Sequence, residues 1–208
     1  KKNIKKLLDA TGIECEMLSP DAKQYNDILK SYMRAGVPNL AAPQDNITIA
    51  YVYKFAIDNN IKYFFSGGNF ALECILQRGN SHSNEDVVNI KSIHKRYGTT
   101  SDDNLFFMSW YKKNWYKIFK GFHFVRPLNY VEYNRDRAFE ELKQFCQFEY
   151  YGRKHLENIF TAFLQLYWMP KKFGVDKRTS HLSSMIVSGQ MTREEALKEY
   201  EKPLYDEQ

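Results

Sequence analysis

Residues 61–65, Ile-Lys-Tyr-Phe-Phe, run directly into Ser66-Gly67-Gly68-Asn69. A short run of strand formers closed by two glycines predicts a strand that ends in a tight loop. The preceding stretch, Ile47 to Ile57, is apolar nearly all round and predicts a buried helix. Upstream, Ile4, Leu7 and Leu8 before Gly12 predict the end of a helix with a glycine stop. Ile13 to Leu18 then reads as a short strand, and Tyr25, Ile28, Leu29, Tyr32 and Met33 as an amphipathic helix ending at Gly36. This order of helix, strand, helix, helix, strand and glycine loop predicts an α/β fold built on an open parallel sheet.

In such sheets ligands bind at the carboxyl ends of the strands. The glycine loop follows such an end, so Gly67, Gly68 and Asn69 are the candidate nucleotide-binding residues. Residues 79–104 turn polar and predict a long, partly mobile excursion across the mouth of the sheet, with a helix near Val87 to Tyr97. The remainder reads as largely helical. Asn134 is a candidate N-cap for a helix through Phe145. Thr192 and Glu195 form a capping box that opens a last surface helix. The expected division is a partial nucleotide-binding α/β domain over 1–105 and a helical part over 106–208.

Composition narrows the function classes less than the pattern does. The net charge of +5 permits an anionic partner without selecting one. Three scattered cysteines, Cys15, Cys74 and Cys146, make neither a disulfide framework nor a zinc site within this chain, and suit a cytoplasmic setting. No apolar run is long enough for a bilayer span. The opening Lys1-Lys2-Asn3-Ile4 runs straight into an amphipathic pattern and reads as the start of a fragment.

Two segments carry candidate chemistry. Arg153 to Trp168 predicts a helix on which Lys154, Glu157, Asn158, Thr161 and Gln165 form one polar stripe. Asn, Thr and Gln suit directional hydrogen bonds to a ligand, and a solvated face is the plainer alternative. After it, Lys171, Lys172, Lys177 and Arg178 place four cations around Asp176, with His181 close behind. Such cations suit a polyphosphate, and a solvated basic loop is again the plainer alternative. Trp110-Tyr111-Lys112-Lys113-Asn114-Trp115-Tyr116-Lys117 has the look of a single-stranded RNA surface. At helical spacing, however, Tyr111, Trp115 and Ile118 form one apolar face expected to pack into the core.

The segments Tyr151 to Thr161, Tyr167-Trp168-Met169-Pro170, Lys172 to Arg178, His181-Leu182-Ser183-Ser184, Ser188-Gly189-Gln190 and Thr192 to Leu197 resemble the N-acetyl sugar amidotransferases of bacterial surface-polysaccharide synthesis. Arg126-Pro127-Leu128 and Gly68-Asn69 with Glu73 match more weakly. That family belongs to the adenine nucleotide alpha hydrolase superfamily of ATP pyrophosphatases. The resemblance implies its Rossmann-like open sheet, truncated here at the N-terminus. It implies ATP with Mg2+, a nucleotide-linked N-acetyl sugar, ammonia from a glutaminase subunit and a cyclase-like ammonia-channel subunit. Lys154, Glu157, Lys177 and Arg178 become candidate catalytic residues, and Glu73, Asn158, Thr161, Gln165, Asp176 and His181 candidate substrate contacts. The superfamily's Ser-Gly-Gly-x-Asp-Ser loop is absent, since Asn69-Phe70-Ala71 follow the glycines. Any zinc would belong to an upstream segment. The glycines expected after Glu73 are Cys74, Ile75 and Leu76, and an expected Arg is Ala162. A tRNA-modifying ATP pyrophosphatase and a non-catalytic module that docks a glutaminase are the alternatives. Membrane partners are not expected, and homo-oligomerisation stays open.

Overall fold

The structure, a computed structural model, describes residues 2–76, 82–150 and 158–204. Its first helices follow local signals. Helix α1 (Lys2–Thr11) ends at Gly12 in the left-handed region. Helix α2 (Ala22–Ala35) starts where Asp21 accepts the Gln24 N–H and ends at left-handed Gly36. Helix α3 (Ala42–Asp58) carries Pro43 in its first turn, where a missing N–H costs nothing.

Residues 13–18, expected as a strand, are irregular and exposed, with Ile13 and Met17 65% and 79% accessible. Among the described residues no strand lies beside them, so their alternation has nothing to pair with. Strand β1 (Tyr63–Phe65) pairs in parallel with β2 (His123–Val125), Phe64 opposite Phe124. This ladder joins the two sides of residue 105. Between the strands lie α4 (Phe70–Glu73), α5 (Val87–Tyr97) and α6 (Trp110–Phe119). After a 3-10 turn at Pro127–Asn129 come α7 (Arg135–Cys146), α8 (Ile159–Phe163), α9 (Met169–Phe173), α10 (Arg178–Val187) and α11 (Arg193–Glu201). The caps at Asn134 and Thr192 form as expected.

Two cores hold these elements. One gathers Ile28, Tyr32, Leu40, Ile47, Ile90, Leu105, Leu164 and Met169, so α2, α3 and α5 pack with the start of α9. The other places Ala50, Tyr53, Ala56, Met108 and Phe122 beneath Phe64 of β1.

The excursion is anchored rather than draped over the sheet. Asp27, buried on α2, accepts from the backbone N–H groups of Thr99 (2.7 Å) and Thr100 (2.9 Å). It also accepts both threonine hydroxyls and lies 3.0 Å from His94 Nε2. Burial alone would raise the Asp27 pKa. These hydrogen bonds outweigh it and hold the carboxyl well below its ordinary range. Asn46 adds bonds to the Asn84 and Met108 carbonyls. The described part of the excursion therefore belongs to α2 and α3.

The α6 expectation is overturned. Tyr111, Trp115 and Ile118 are 80%, 47% and 71% accessible, and no α6 residue is buried. The helix is held instead by Tyr116, which packs on Tyr53 and Phe122, and by Lys113 pairing with Glu85.

Of the helix expected over Arg153 to Trp168, residues 153–157 lie outside the described residues. Asn158 is extended and accepts the N–H groups of Phe160 and Thr161, so α8 starts at Ile159. Between α8 and α9 the chain widens into a π turn, Leu164–Trp168, in which the Met169 N–H reaches the Leu164 carbonyl. Pro170 explains the widening. Its ring would strike the carbonyl four residues back and it has no N–H to donate, so the wider turn relieves the conflict without ending the helix.

Candidate functional site

A cavity of about 570 Å³ opens at the carboxyl ends of β1 and β2. Arg126 follows β2 directly, and Asn69 lies just beyond β1. Helix α4 forms one wall. The π turn supplies Gln165 and Leu166, and the chain entering α10 supplies Asp176, Lys177, Arg178 and His181. The site thus joins segments that both α/β patterning and the cationic run had singled out.

The glycine loop works through close packing. Asn69 is buried, its Oδ1 accepts the Leu72 N–H at 3.0 Å and its Nδ2 donates to the Gly67 carbonyl. Its side chain therefore caps α4, although the residue lines the cavity. A methyl group on Gly67 would meet nothing within 4 Å. One on Gly68 would lie 3.3 Å from Glu73 Oε2 and 3.8 Å from Arg126 Nε. Gly68 thus leaves room for opposite charges at the strand ends. Glu73 itself lines the cavity.

Helix α4 is docked on α10 by polar contacts. Ser184, fully buried, accepts the Ile75 N–H, and Ser188 donates to the Ala71 carbonyl. His181 Nδ1 lies 3.4 Å from the Leu72 carbonyl. His181, Ser184 and Ser188 form one face of the helix at three- and four-residue spacing. That face fixes the distance between two cavity walls.

The four cations of the basic run separate. Lys171 is exposed and outside the cavity, and Lys172 Nζ sits over the Trp168 ring at 4.5 Å, next to Gly36. Arg178 is a clamp. Its Nε lies 3.0 Å and its Nη2 2.8 Å from Asp176 Oδ2, while Nη1 donates to the Glu199 and Lys202 carbonyls at the end of α11. The guanidinium also lies 5.0 Å from the Tyr200 ring centre. Lys177, between these paired charges, is half-buried in the cavity wall, and burial lowers its pKa below the ordinary lysine value.

Of the residues expected from the sequence, the structure brings Asn69, Glu73, Gln165, Asp176, Lys177, Arg178 and His181 to one cavity. Gly67 and Gly68 lie beside it, Asn158 caps α8, and Thr161 is not among its lining residues. Lys154 and Glu157 lie outside the described residues. Arg126 and Arg135 line the cavity and were not among the expected site residues. Arg126 carried a signal, since Phe122-His123-Phe124-Val125 before Pro127 marks a second strand end. No spacing rule points from Arg135, at the start of α7, to this place.

Comparison with known proteins bears on the same wall. Residues 157–208 match the family model described as LPS biosynthesis protein WbpG-like, C-terminal domain. The match is a similarity of this C-terminal segment. The WbpG-like segment contains the π turn, the Asp176–Arg178 clamp, α10 and α11. The similarity therefore supports a link to LPS biosynthesis through the residues that build one side of the cavity. No curated protein and no solved structure matches the chain. Among the described residues no helix is long and apolar enough to cross a membrane.

Proposed function

We propose that this chain forms the substrate-binding part of an ATP-dependent amidotransferase that converts an N-acetyl group of a nucleotide-linked sugar to an acetamidino group. The reaction would serve LPS, O-antigen or related surface-glycan synthesis. The carrying observation is that the WbpG-like segment supplies Gln165, Asp176, Lys177 and His181 to a cavity at the ends of two parallel strands. In this reading β1 and β2 belong to an open parallel sheet of the adenine nucleotide alpha hydrolase type.

The acetamido oxygen is activated as an adenylate with release of pyrophosphate, and ammonia then displaces AMP. A glutaminase partner supplies the ammonia through a cyclase-like subunit. For this chemistry the chain provides cavity cations that favour charge developing on departing phosphate. Leu72, Leu166 and Leu182 exclude water from the activated carbon. Gln165 and Glu73 are placed to accept from or donate to sugar hydroxyl and amide groups. Among the described residues no group of three His, Cys, Asp or Glu side chains is gathered for a metal ion.

The exposed Trp110, Tyr111 and Trp115 beside Lys112 and Lys117 favour a second reading, a tRNA-modifying ATP pyrophosphatase. One assay separates the two. With ATP, ammonia and a UDP-N-acetyl sugar, the intact protein should release pyrophosphate only when the sugar is present. Turnover with tRNA in place of sugar would transfer the conclusion to the second reading, and no turnover in any mixture would remove both.

A further inference from the structure

We propose that Arg126 and Lys177 form a diphosphate-binding subsite of the cavity, and that Arg178 is the positioning residue that holds Lys177 toward it. The subsite rests on the reading above only for the source of the diphosphate.

The charges around the cavity are unequally engaged. Arg178 is bound to Asp176, Arg135 to Asp136 and Glu199 to Lys202. Glu73 also has a partner. Arg126 and Lys177 line the same cavity from separate segments, and among the described residues neither side chain has a hydrogen-bond or ion-pair partner. Two cations facing one partly dehydrated space repel each other, and an anion between them removes that repulsion. The ammonium of Lys177 has the stronger need, because burial has already taken part of its water.

The geometry also favours a two-point anion. The cationic groups come from the end of β2 and the entry to α10, and a cavity of about 570 Å³ exceeds what one phosphate fills. A guanidinium binds phosphoryl oxygens through paired N–H groups, and an ammonium acts as a point charge, so together they suit two adjacent phosphoryl groups. Gly68 contributes by omission, since a side chain there would crowd Arg126 Nε.

Residue 177 is fixed from both sides. Its carbonyl accepts from Ser180 Oγ at 3.1 Å and from the His181 N–H at 3.4 Å. Asp176 and Arg178 flank it in a two-oxygen ion pair, and Arg178 continues to the last carbonyls of α11. Arg178 therefore acts through Lys177 and through the shape of the wall.

Isothermal titration of the intact protein with inorganic pyrophosphate, UDP and inorganic phosphate tests the subsite. Pyrophosphate or UDP should bind at least about tenfold more tightly than phosphate. Lys177→Ala and Arg126→Gln should each weaken that binding about tenfold to a hundredfold. Lys172→Ala, a cation on another face, should change nothing. Arg126 is exposed, so its substitution leaves folding intact and keeps the test decisive if Lys177→Ala unfolds. Retention of UDP assigns the diphosphate to the sugar nucleotide, and retention of pyrophosphate alone assigns it to the departing phosphate of ATP.

Binding should also fall at alkaline pH as Lys177 loses its proton. Arg178→Lys should weaken binding and move that alkaline limb to higher pH, because a released Lys177 regains water. A merely structural Arg178 would lower the melting temperature and leave the limb in place. Phosphate binding as tightly as both diphosphates, or unchanged affinity in Lys177→Ala and Arg126→Gln, overturns the subsite. Diphosphate binding without amidotransfer sinks the proposed reaction alone. Amidotransfer with unaltered binding in both variants sinks the subsite alone.

Discussion

Replacing Asp27 with Asn should destabilise the fold by about 3 kcal/mol, because the carboxylate is the shared partner of His94, Thr99 and Thr100. Its Oδ2 accepts from the Thr99 and Thr100 N–H groups and the Thr100 hydroxyl, and lies 3.0 Å from His94 Nε2. The Thr99 hydroxyl donates to Oδ1. In the amide one oxygen remains to take the Oδ2 contacts, while the NH2 group faces a hydroxyl that can turn to accept. Hydrogen bonds to a charged group contribute about 1.5–3 kcal/mol and neutral ones about 0.5–1.5 kcal/mol. Weakening three such bonds by about 1 kcal/mol each gives the stated loss. For a chain of this size that corresponds to about 6–12 °C in melting temperature. The pH dependence has a defined sign. The folded pKa lies below the unfolded value of about 3.9, so the stabilisation is complete above that pH and declines as pH falls toward the folded value. The gap between wild type and Asp27→Asn should be flat above about pH 5 and narrow below about pH 4. Calorimetry across this range, with amide exchange at Thr99 and Thr100, measures both parts. A melting temperature within about 2 °C of wild type at neutral pH would refute the reasoning.

Gly98→Ala should cost about 2–4 kcal/mol, since its Cβ would lie 2.3 Å from His94 Cδ2 and 2.6 Å from the His94 carbonyl oxygen, and chemical denaturation reads this loss. Gly67→Ala should leave stability and ligand affinity unchanged, whereas Gly68→Ala, meeting Glu73 Oε2 at 3.3 Å, should weaken pyrophosphate binding; titration of the two variants side by side gives the comparison. Tyr111→Ser and Ile118→Ser should alter stability by no more than about 0.5 kcal/mol, because both side chains already face solvent, and thermal melts check this.

What the sequence revealed divides by the range of the interaction. The stops at Gly12 and Gly36, the Asn134 cap and the Thr192–Glu195 capping box depend on neighbouring residues, and local chemistry determines them. Helix α5 was legible for the same reason, from a polar start to Gly98. The Asp27–His94 pair spans 67 positions, and no periodicity announces it. Arg178 looked available because its run is cationic, yet the α11 carbonyls that engage it lie more than 20 residues away. The outward face of α6 was misread because helical spacing reveals that residues share a face without saying which way the face turns. Lys177 and His181, which line the cavity, were singled out because residue chemistry and local order coincided there, and Arg126 was left out because its strand is only three residues long.

The widened turn at Leu164–Trp168 makes chain length itself a determinant of the site. A π turn is one residue longer than the α-helical turn it replaces. Removing any single residue from it would force the tighter winding onto Pro170 and redistribute the residues left in the turn around the helix axis, while the helices on either side keep their direction. Gln165 and Leu166 would then meet the cavity at different angles even if every remaining side chain were kept. Two chains alike in composition but unequal by one residue here would therefore present different walls to their ligands, a distinction that percentage identity would conceal.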